Sequence, residues 1–328
     1  MKAVFIKEFG GAENLELREV KDPPAPTATQ VKVRVKAAGL NRADLLQRRG
    51  AYPPPAGHSP NIPGLEFAGE VAEIGSEVKT FSIGERVFGI TAGEAQAELL
   101  LTDERILTRI PDNLSFAEAA AVPEAFITAQ DAVFTLGELN TGETLLIHAV
   151  GSGVGLAALQ LAHAKGAKTI GTSRTAAKLE KCRSLGLDVG IDTGADASFS
   201  ADVLTITDGR GADVVLDLVG AAVFDQNLKC LAVKGRLILV GLTSGRTAEF
   251  DLGTALAKRL RIIGTVLRGR SLEEKAEVTR KFAEEVVPLL ASGAVLPNVD
   301  RVFSASEAAA AHEYLESNES FGKVVLEF

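Results

Sequence analysis

The chain has 328 residues, 46% of them hydrophobic and 24% charged, with 35 basic residues against 43 acidic ones and a net charge of −8. That length exceeds what one hydrophobic core usually organises and predicts two domains. The acidic balance argues against non-specific nucleic-acid binding through a basic surface, but leaves room for a local basic pocket holding one small anion. Cys182 and Cys230 are too few for a four-thiolate zinc site, and are expected as small apolar residues in or near helices.

The opening stretch Met1-Lys2-Ala3-Val4-Phe5-Ile6 reads as a strand and lacks an export-signal pattern, so a cytoplasmic location is expected. Residues 31–36 alternate apolar and polar with period two, which predicts a strand with one buried face. Proline clusters at Pro23-Pro24-Ala25-Pro26 and Pro53-Pro54-Pro55 mark irregular loops, and residues 64–74 and 85–90 read as further strands. Short strands with turn punctuation predict a compact strand-rich domain in this first third.

The rhythm changes after Pro123. Residues 125–134 read as a helix, and short apolar runs follow at 144–149, 168–172, 189–192, 214–218, 237–240 and 262–266. Helical stretches at 155–165, 176–185 and 223–231 lie between most of them. Strands apolar on both faces, alternating with helices, predict a doubly wound parallel sheet, so the fold class is α/β. Residues 144–164 carry no formal charge, yet Gly151, Gly153 and Gly155 interrupt them, which favours strand–turn–helix over a membrane span. A single long helix is expected over 272–291, then the stretch 295–302, a helix over 305–316 and a terminal strand over 323–328. That tail is expected to return to the first domain, because six strands already complete the sheet. The predicted division is 1–123 with 267–328, and 124–266.

The densest chemical signal is Leu145-Leu146-Ile147-His148-Ala149-Val150-Gly151-Ser152-Gly153-Val154-Gly155. A buried strand leads into a glycine turn and a helix begins at once, so backbone N–H groups at Ser152, Gly153, Val154 and Gly155 are expected to hold a pyrophosphate. Cofactor choice is written at the end of the next strand, where NAD-binding chains place an acid for the ribose hydroxyls. Here the run Ser173-Arg174-Thr175-Ala176-Ala177-Lys178 has no acid before Glu180. Ser173, Arg174 and Lys178 suit a 2′-phosphate and predict NADPH; the plainer alternative is a solvated helix start.

Several separated stretches carry a family resemblance: Ala12-Glu13-Asn14-Leu15, Leu40-Asn41-Arg42-Ala43-Asp44-Leu45, Tyr52-Pro53-Pro54-Pro55, Pro63-Gly64-Leu65-Glu66, Ala121-Val122-Pro123-Glu124-Ala125, the glycine turn, and the ending Phe321-Gly322-Lys323-Val324-Val325-Leu326-Glu327. In this order, over essentially the whole chain, they resemble the zinc-free quinone oxidoreductases of the medium-chain dehydrogenase/reductase superfamily, nearest to the tumour-suppressor-induced branch of animals and its bacterial relatives. The resemblance implies a GroES-like catalytic domain beside a Rossmann cofactor domain, a quinone acceptor, and a site between the domains. Zinc-dependent relatives have cysteine at Asn41 and histidine at Leu65, neither of which can be replaced as a ligand by these residues, so no metal is expected.

By the same resemblance, Asn41 contacts the acceptor or the nicotinamide ribose, and Asp44 is a site residue or a helix cap. Tyr52 stacks on a quinone, donates a proton, or merely packs its loop, and Glu66 anchors backbone N–H groups. Thr128 is implied as a cofactor contact. Gly241, Leu242, Val266, Leu267 and Arg268 are implied to pass the nicotinamide, with Lys323 near the phosphates. Relatives often place a tyrosine where this chain has Gly190-Ile191-Asp192-Thr193-Gly194, so Thr193 is left with one hydrogen bond to offer the 2′-phosphate and Asp192 brings a negative charge. The rival readings are an enone or 2-alkenal reductase and a non-catalytic NADPH-binding or RNA-binding protein. The run Arg261-Ile262-Ile263-Gly264-Thr265-Val266 is expected to be an edge strand that pairs across a homodimer.

Overall fold

The computed structural model describes residues 1–194 and 198–328, which separate into two units: Met1–Ile127 with Leu267–Phe328, and Thr128–Val266. In chain order the first unit begins with strands β1 (Lys2–Ile6), β2 (Leu15–Glu19) and β3 (Gln30–Gly39), and helix α1 (Arg42–Arg48). Strands β4 (Glu66–Ile74), β5 (Arg86–Ile90), β6 (Leu99–Asp103) and β7 (Leu107–Arg109) and helix α2 (Phe116–Ala120) follow. The units divide within α3 (Pro123–Gln130).

The second unit continues through β8 (Thr144–Ile147), α4 (Gly153–Ala164), β9 (Lys168–Ser173), α5 (Ala176–Arg183) and β10 (Val189–Asp192). It then adds α6 (Ser200–Ile206), β11 (Ala212–Asp217), α7 (Phe224–Cys230), β12 (Leu231–Leu239), α8 (Leu252–Lys258) and β13 (Arg261–Gly264). The chain returns to the first unit with α9 (Leu272–Glu285), α10 (Val287–Ala291), β14 (Val299–Ser304), α11 (Ala308–Glu316) and β15 (Lys323–Glu327).

The second unit holds a six-stranded sheet in the order β10-β9-β8-β11-β12-β13, every neighbour parallel. The strand order reverses between β8 and β11, which makes a switch point, the place where open parallel sheets bind ligands. Its core takes Leu146, Ile170, Val215 and Leu237 from adjacent strands, each within an apolar run of the sequence, and Val203 and Leu228 from the covering helices. Each such side chain removed from water contributes about 1.5–3 kcal/mol. The uncharged stretch over 144–164 is β8 followed by α4, and no helix among the described residues is long and apolar enough to cross a membrane.

In the first unit β3 pairs with β4, β6 and β15, all antiparallel. Val31, Val33 and Val35 point into one core with Phe67, Val71 and Val87. Val4, Ile6, Leu45, Val324 and Leu326 form another, so the terminal strand does return to the first unit. Two details differ from the sequence expectation. The long helix over 272–291 is two helices, because Pro288 has no N–H to donate and disfavours helical backbone before it. The stretch from 295 becomes a strand only at Val299.

Candidate functional site

Strand register assembles the first-unit cluster. Gly39 at the end of β3 lies opposite Glu66 on one side and Val325 on the other. Asn41, Glu66 and Lys323 are thereby brought together from three distant segments. Asn41 Nδ2 donates to Glu66 Oε1 at 2.9 Å, and the Lys323 ammonium donates to Leu40 O at 2.7 Å and Asn41 Oδ1 at 2.8 Å while pairing with Glu66. Glu66 is completely buried and its second oxygen accepts the Glu124 N–H at 2.9 Å.

Asp44 is also completely buried. Its oxygens accept the N–H of Asn41 at 2.8 Å and of Gly64 at 2.9 Å, so it reaches back to the residue that opens α1 and ties that helix to the next turn. Gly64 has φ +111° and a Cβ there would meet Gln96 N at 2.5 Å, so the turn requires glycine. Burial pushes the Asp44 carboxyl up to about 6 against the pull of both backbone donors. Of the three catalytic candidates, Asp44 is thus engaged as a cap, Asn41 is half-buried with both ends of its amide in use, and Tyr52 keeps a half-exposed ring.

Arg268 and Lys323, expected along the cofactor, both turn inward. The Arg268 guanidinium donates to Ala92 O at 2.7 Å, to Tyr52 O at 2.9 Å and to Gln47 Oε1, and lies 5.0 Å from the Tyr52 ring centroid. It fixes the proline-stiffened loop that carries Tyr52. With Lys323 bound to three acceptors, neither cation is left directed at a phosphate. Leu267 is buried in the same unit.

In the second unit the remaining candidates follow the carboxyl ends of its strands, except Thr128, which lies on α3. Ser152 precedes α4, and its hydroxyl accepts the Gly155 N–H at 3.2 Å, while Leu156 N–H goes to Ser152 O at 2.8 Å. The N–H groups of Gly153 and Val154, which have no acceptor within the helix, remain at its positive end with no acid in the first turn. A Cβ on Gly155 would lie 2.6 Å from Val150 O, so the helix packs onto the turn only because that residue is glycine. These features fit a dinucleotide pyrophosphate.

Ser173 ends β9, its hydroxyl accepting the Thr175 N–H at 3.1 Å, and its carbonyl accepts the Thr193 N–H at 2.8 Å. Arg174 is exposed beside it, Lys178 lies half-buried on α5, and Asp192 lies across from Ser173 in the sheet. Ser173, Arg174 and Thr193 are therefore neighbours, as a 2′-phosphate cradle needs. Gly241 donates to Asp217 O at 3.1 Å, Leu242 beyond it is exposed, and Thr128 is half-buried.

His148 has a role that its sequence position did not suggest. Its Nε2 lies 2.6 Å from Asn227 Oδ1, and its Nδ1 lies 2.8 Å from Thr172 Oγ1. Asn227 Nδ2 donates to Asp217 at 3.1 Å, which assigns its oxygen to face the imidazole. His148 therefore carries its proton on Nε2 and accepts from Thr172 at Nδ1. Burial lowers its pKa, keeping the ring neutral. Asp217 in turn accepts the Val219 and Gly220 N–H groups, so one buried chain joins the ends of β8, β9 and β11. Glu124 was also passed over. It follows Pro123 at the start of α3, and burial together with the charge of Glu66 pushes its carboxyl up to about 8.

A parallel sheet with a glycine turn at its switch point defines a nucleotide-binding unit, and the strand-rich unit of the same chain carries the buried polar cluster. Residues 27–131 match the alcohol dehydrogenase GroES-like domain, and residues 153–285 match the zinc-binding dehydrogenase family. A quinone oxidoreductase of Pseudomonas aeruginosa is 35% identical over 326 residues, covering 99% of either chain. Among solved structures, Escherichia coli quinone oxidoreductase complexed with NADPH aligns over 100% of both chains at 31% identity with a TM-score of 0.90. The CurK enoyl reductase aligns over 99% of this chain and 98% of its own at 26% identity with a TM-score of 0.88. The chain belongs to the medium-chain dehydrogenase/reductase superfamily, among its quinone oxidoreductase-like members, and is an oxidoreductase of that type.

Proposed function

We propose that this protein is an NADPH-dependent quinone reductase that works without metal or flavin. The observation that carries the reading is the Lys323 ammonium held between Asn41 Oδ1, Leu40 O and Glu66. Asn41 and Leu65 stand where zinc-dependent relatives have cysteine and histidine. A lysine cation already neutralises Glu66 there and repels a divalent ion, so acceptor activation falls to hydrogen bonds. A quinone suits such a site: it is electron-poor, its reduced product is aromatic, and it accepts a hydride without a Lewis acid. The Pseudomonas relative's description as a quinone oxidoreductase supports the same acceptor class.

NADPH, when bound, supplies the hydride. The chain's own part is to bind and orient it: Ser152, Gly153 and Val154 at the start of α4 for the pyrophosphate, with Ser173, Arg174, Lys178 and Thr193 for the 2′-phosphate. Gly155 gives the close approach, and Thr128, Gly241, Leu242 and Leu267 are assigned to the nicotinamide side. Arg268 and Lys323 support that side indirectly, through Tyr52 and Asn41. Tyr52 offers a ring for the acceptor to stack on.

The test is loss of NADPH and NADH, at matched concentrations, with a simple ortho-quinone and a control enone in the presence of chelator. Quinone-dependent NADPH consumption is expected to be fastest. In Arg174→Ala, KM for NADPH is expected to rise roughly 10–100-fold with KM for NADH unchanged, as fits loss of a charge-assisted contact to phosphate. Equal effects on both cofactors would refute the phosphate role. Faster enone turnover would favour the second reading, an enone or 2-alkenal reductase, which the likeness to CurK enoyl reductase supports. Cofactor binding without turnover of either acceptor would favour a non-catalytic role.

We also propose a homodimer through β13. Among the described residues that strand has a neighbour on one side only, and Ile262 on it is exposed. Leu252 and Leu256 on α8 are 72% and 81% exposed, a level of apolar exposure that a partner surface would relieve. Light scattering is expected to give twice the chain mass; a monomer at working concentration overturns the pairing.

A further inference from the structure

Three carboxyl groups share the first-unit cluster, and hydrogen-bond donors are divided unequally among them. Asp44 accepts two backbone N–H groups. Glu66 accepts Asn41 Nδ2 and the Glu124 N–H and pairs with Lys323. No described residue donates a hydrogen bond to the Glu124 carboxyl. The cations around it are committed: Lys323 to Leu40, Asn41 and Glu66, and Arg268 to Ala92, Tyr52 and Gln47. Lys275, buried on α9, is within electrostatic reach of Glu124 without forming a hydrogen bond to it.

A carboxyl with no donors, half withdrawn from water and next to an ionised neighbour, keeps its proton. Glu66 holds the cluster's negative charge because the ammonium is there, and Glu124 holds the proton. Its position is fixed as well: Pro123 sets the backbone entering α3, and the Glu124 N–H is tied to Glu66 at 2.9 Å. Unlike Asp44 and Glu66, Glu124 retains solvent exposure.

Resting on the reductase reading above, we infer that the Glu124 carboxylic acid is the general acid that protonates the reduced acceptor. The acceptor gains a hydride from the cofactor, which is oxidised, and its newly negative oxygen takes the Glu124 proton. One carboxyl O–H bond breaks, one O–H bond forms on the product, and solvent returns a proton to the carboxylate. Tyr52 is the poorer donor, because burial raises its phenol further above the ordinary value. Titration of Glu124 near pH 8 is set by burial and by Glu66 and Asp44, opposed by Lys323 and Arg268, with Tyr52 and Lys275 alongside.

The test has two readouts. In the protein without cofactor, infrared titration is expected to show a protonated carboxyl that disappears as pH rises through about 8 and is missing from Glu124→Gln. In turnover with an ortho-quinone, kcat of the wild type is expected to fall about tenfold per pH unit above that point. Glu124→Gln is expected to lower kcat at pH 7 by roughly 10²–10⁴-fold and to lose that limb, with KM for NADPH held within about twofold. Tyr52→Phe should keep the limb. A wild-type carboxyl already ionised at pH 6, or a Glu124→Gln enzyme with unaltered kcat and pH profile, overturns the donor role alone. Absence of any acceptor turnover by the wild type overturns the reductase reading and the donor role with it.

Discussion

Lys323→Met is expected to destabilise the first unit by about 3–5 kcal/mol, among the largest effects of any single substitution here. The ammonium it removes is 5% exposed and reaches Leu40 O, Asn41 Oδ1 and Glu66. What remains is a Glu66 carboxylate at 0% exposure with two neutral donors, Asn41 Nδ2 and the Glu124 N–H. An uncompensated buried charge costs far more than the pair itself contributes. Adding Glu66→Gln to Lys323→Met should therefore recover most of the loss, since the glutamine oxygen can accept the Glu124 N–H while its NH2 donates to Asn41 Oδ1, freed by the loss of the ammonium, once the Asn41 amide flips. Guanidinium unfolding of the two single variants and the double variant measures this coupling. Strict additivity of the single effects would show that the pair is not an energetic unit.

That pair marks how far the sequence could be read. Asn41 and Lys323 were each picked out, but from stretches 282 residues apart. Nothing in their local patterns tells that β15 returns antiparallel to β3 and delivers the lysine onto the amide. The family resemblance therefore implies a phosphate partner for Lys323, and it places Arg268 along the cofactor in the same way. Asp44 could be read as a cap or a site residue. The fold adds what the local pattern lacks: its second oxygen accepts the N–H of Gly64, a turn residue in another segment.

The parallel sheet was far more legible. Strands buried on both faces read as uninterrupted apolar runs, and β8, β9, β10 and β11 each fall on or within two residues of the run that predicts them. β12 begins earlier than its run, at Leu231, and its pairing with β11 shifts register before Arg236, in the segment where Lys234 holds φ +65°. The short helices α6 and α8 lack a long periodic pattern and were not seen. α2 had a readable sign in Ser115 and Glu118, which form a capping box. Glu124 lies in a stretch that carries the family resemblance, but its importance depends on the donors it lacks, which no local pattern encodes.

The second large effect concerns the glycine turn. Gly155→Ala is expected to weaken NADPH binding by roughly 10²-fold or more while lowering stability by about 1–3 kcal/mol. An added Cβ would lie 2.6 Å from Val150 O, 2.7 Å from Ala149 O and 2.8 Å from Val150 Cα, all backbone atoms that cannot rotate away. The turn has little slack, since Ala149 already holds φ +48° and Val150 N–H is bound to Thr172 O at 3.1 Å. Behind it, Thr172 is anchored by His148, which the Asn227–Asp217 chain holds in turn. Relief must come from the first turn of α4, which would carry the Gly153 and Val154 N–H groups away from the pyrophosphate. Two charge-assisted hydrogen bonds, at about 1.5–3 kcal/mol each, set the scale of the lost affinity. Fluorescence titration with NADPH and thermal unfolding of the same samples separate the two parts. Unchanged affinity in a folded variant would mean that the turn yields instead of the helix, and would remove the start of α4 from the cofactor site.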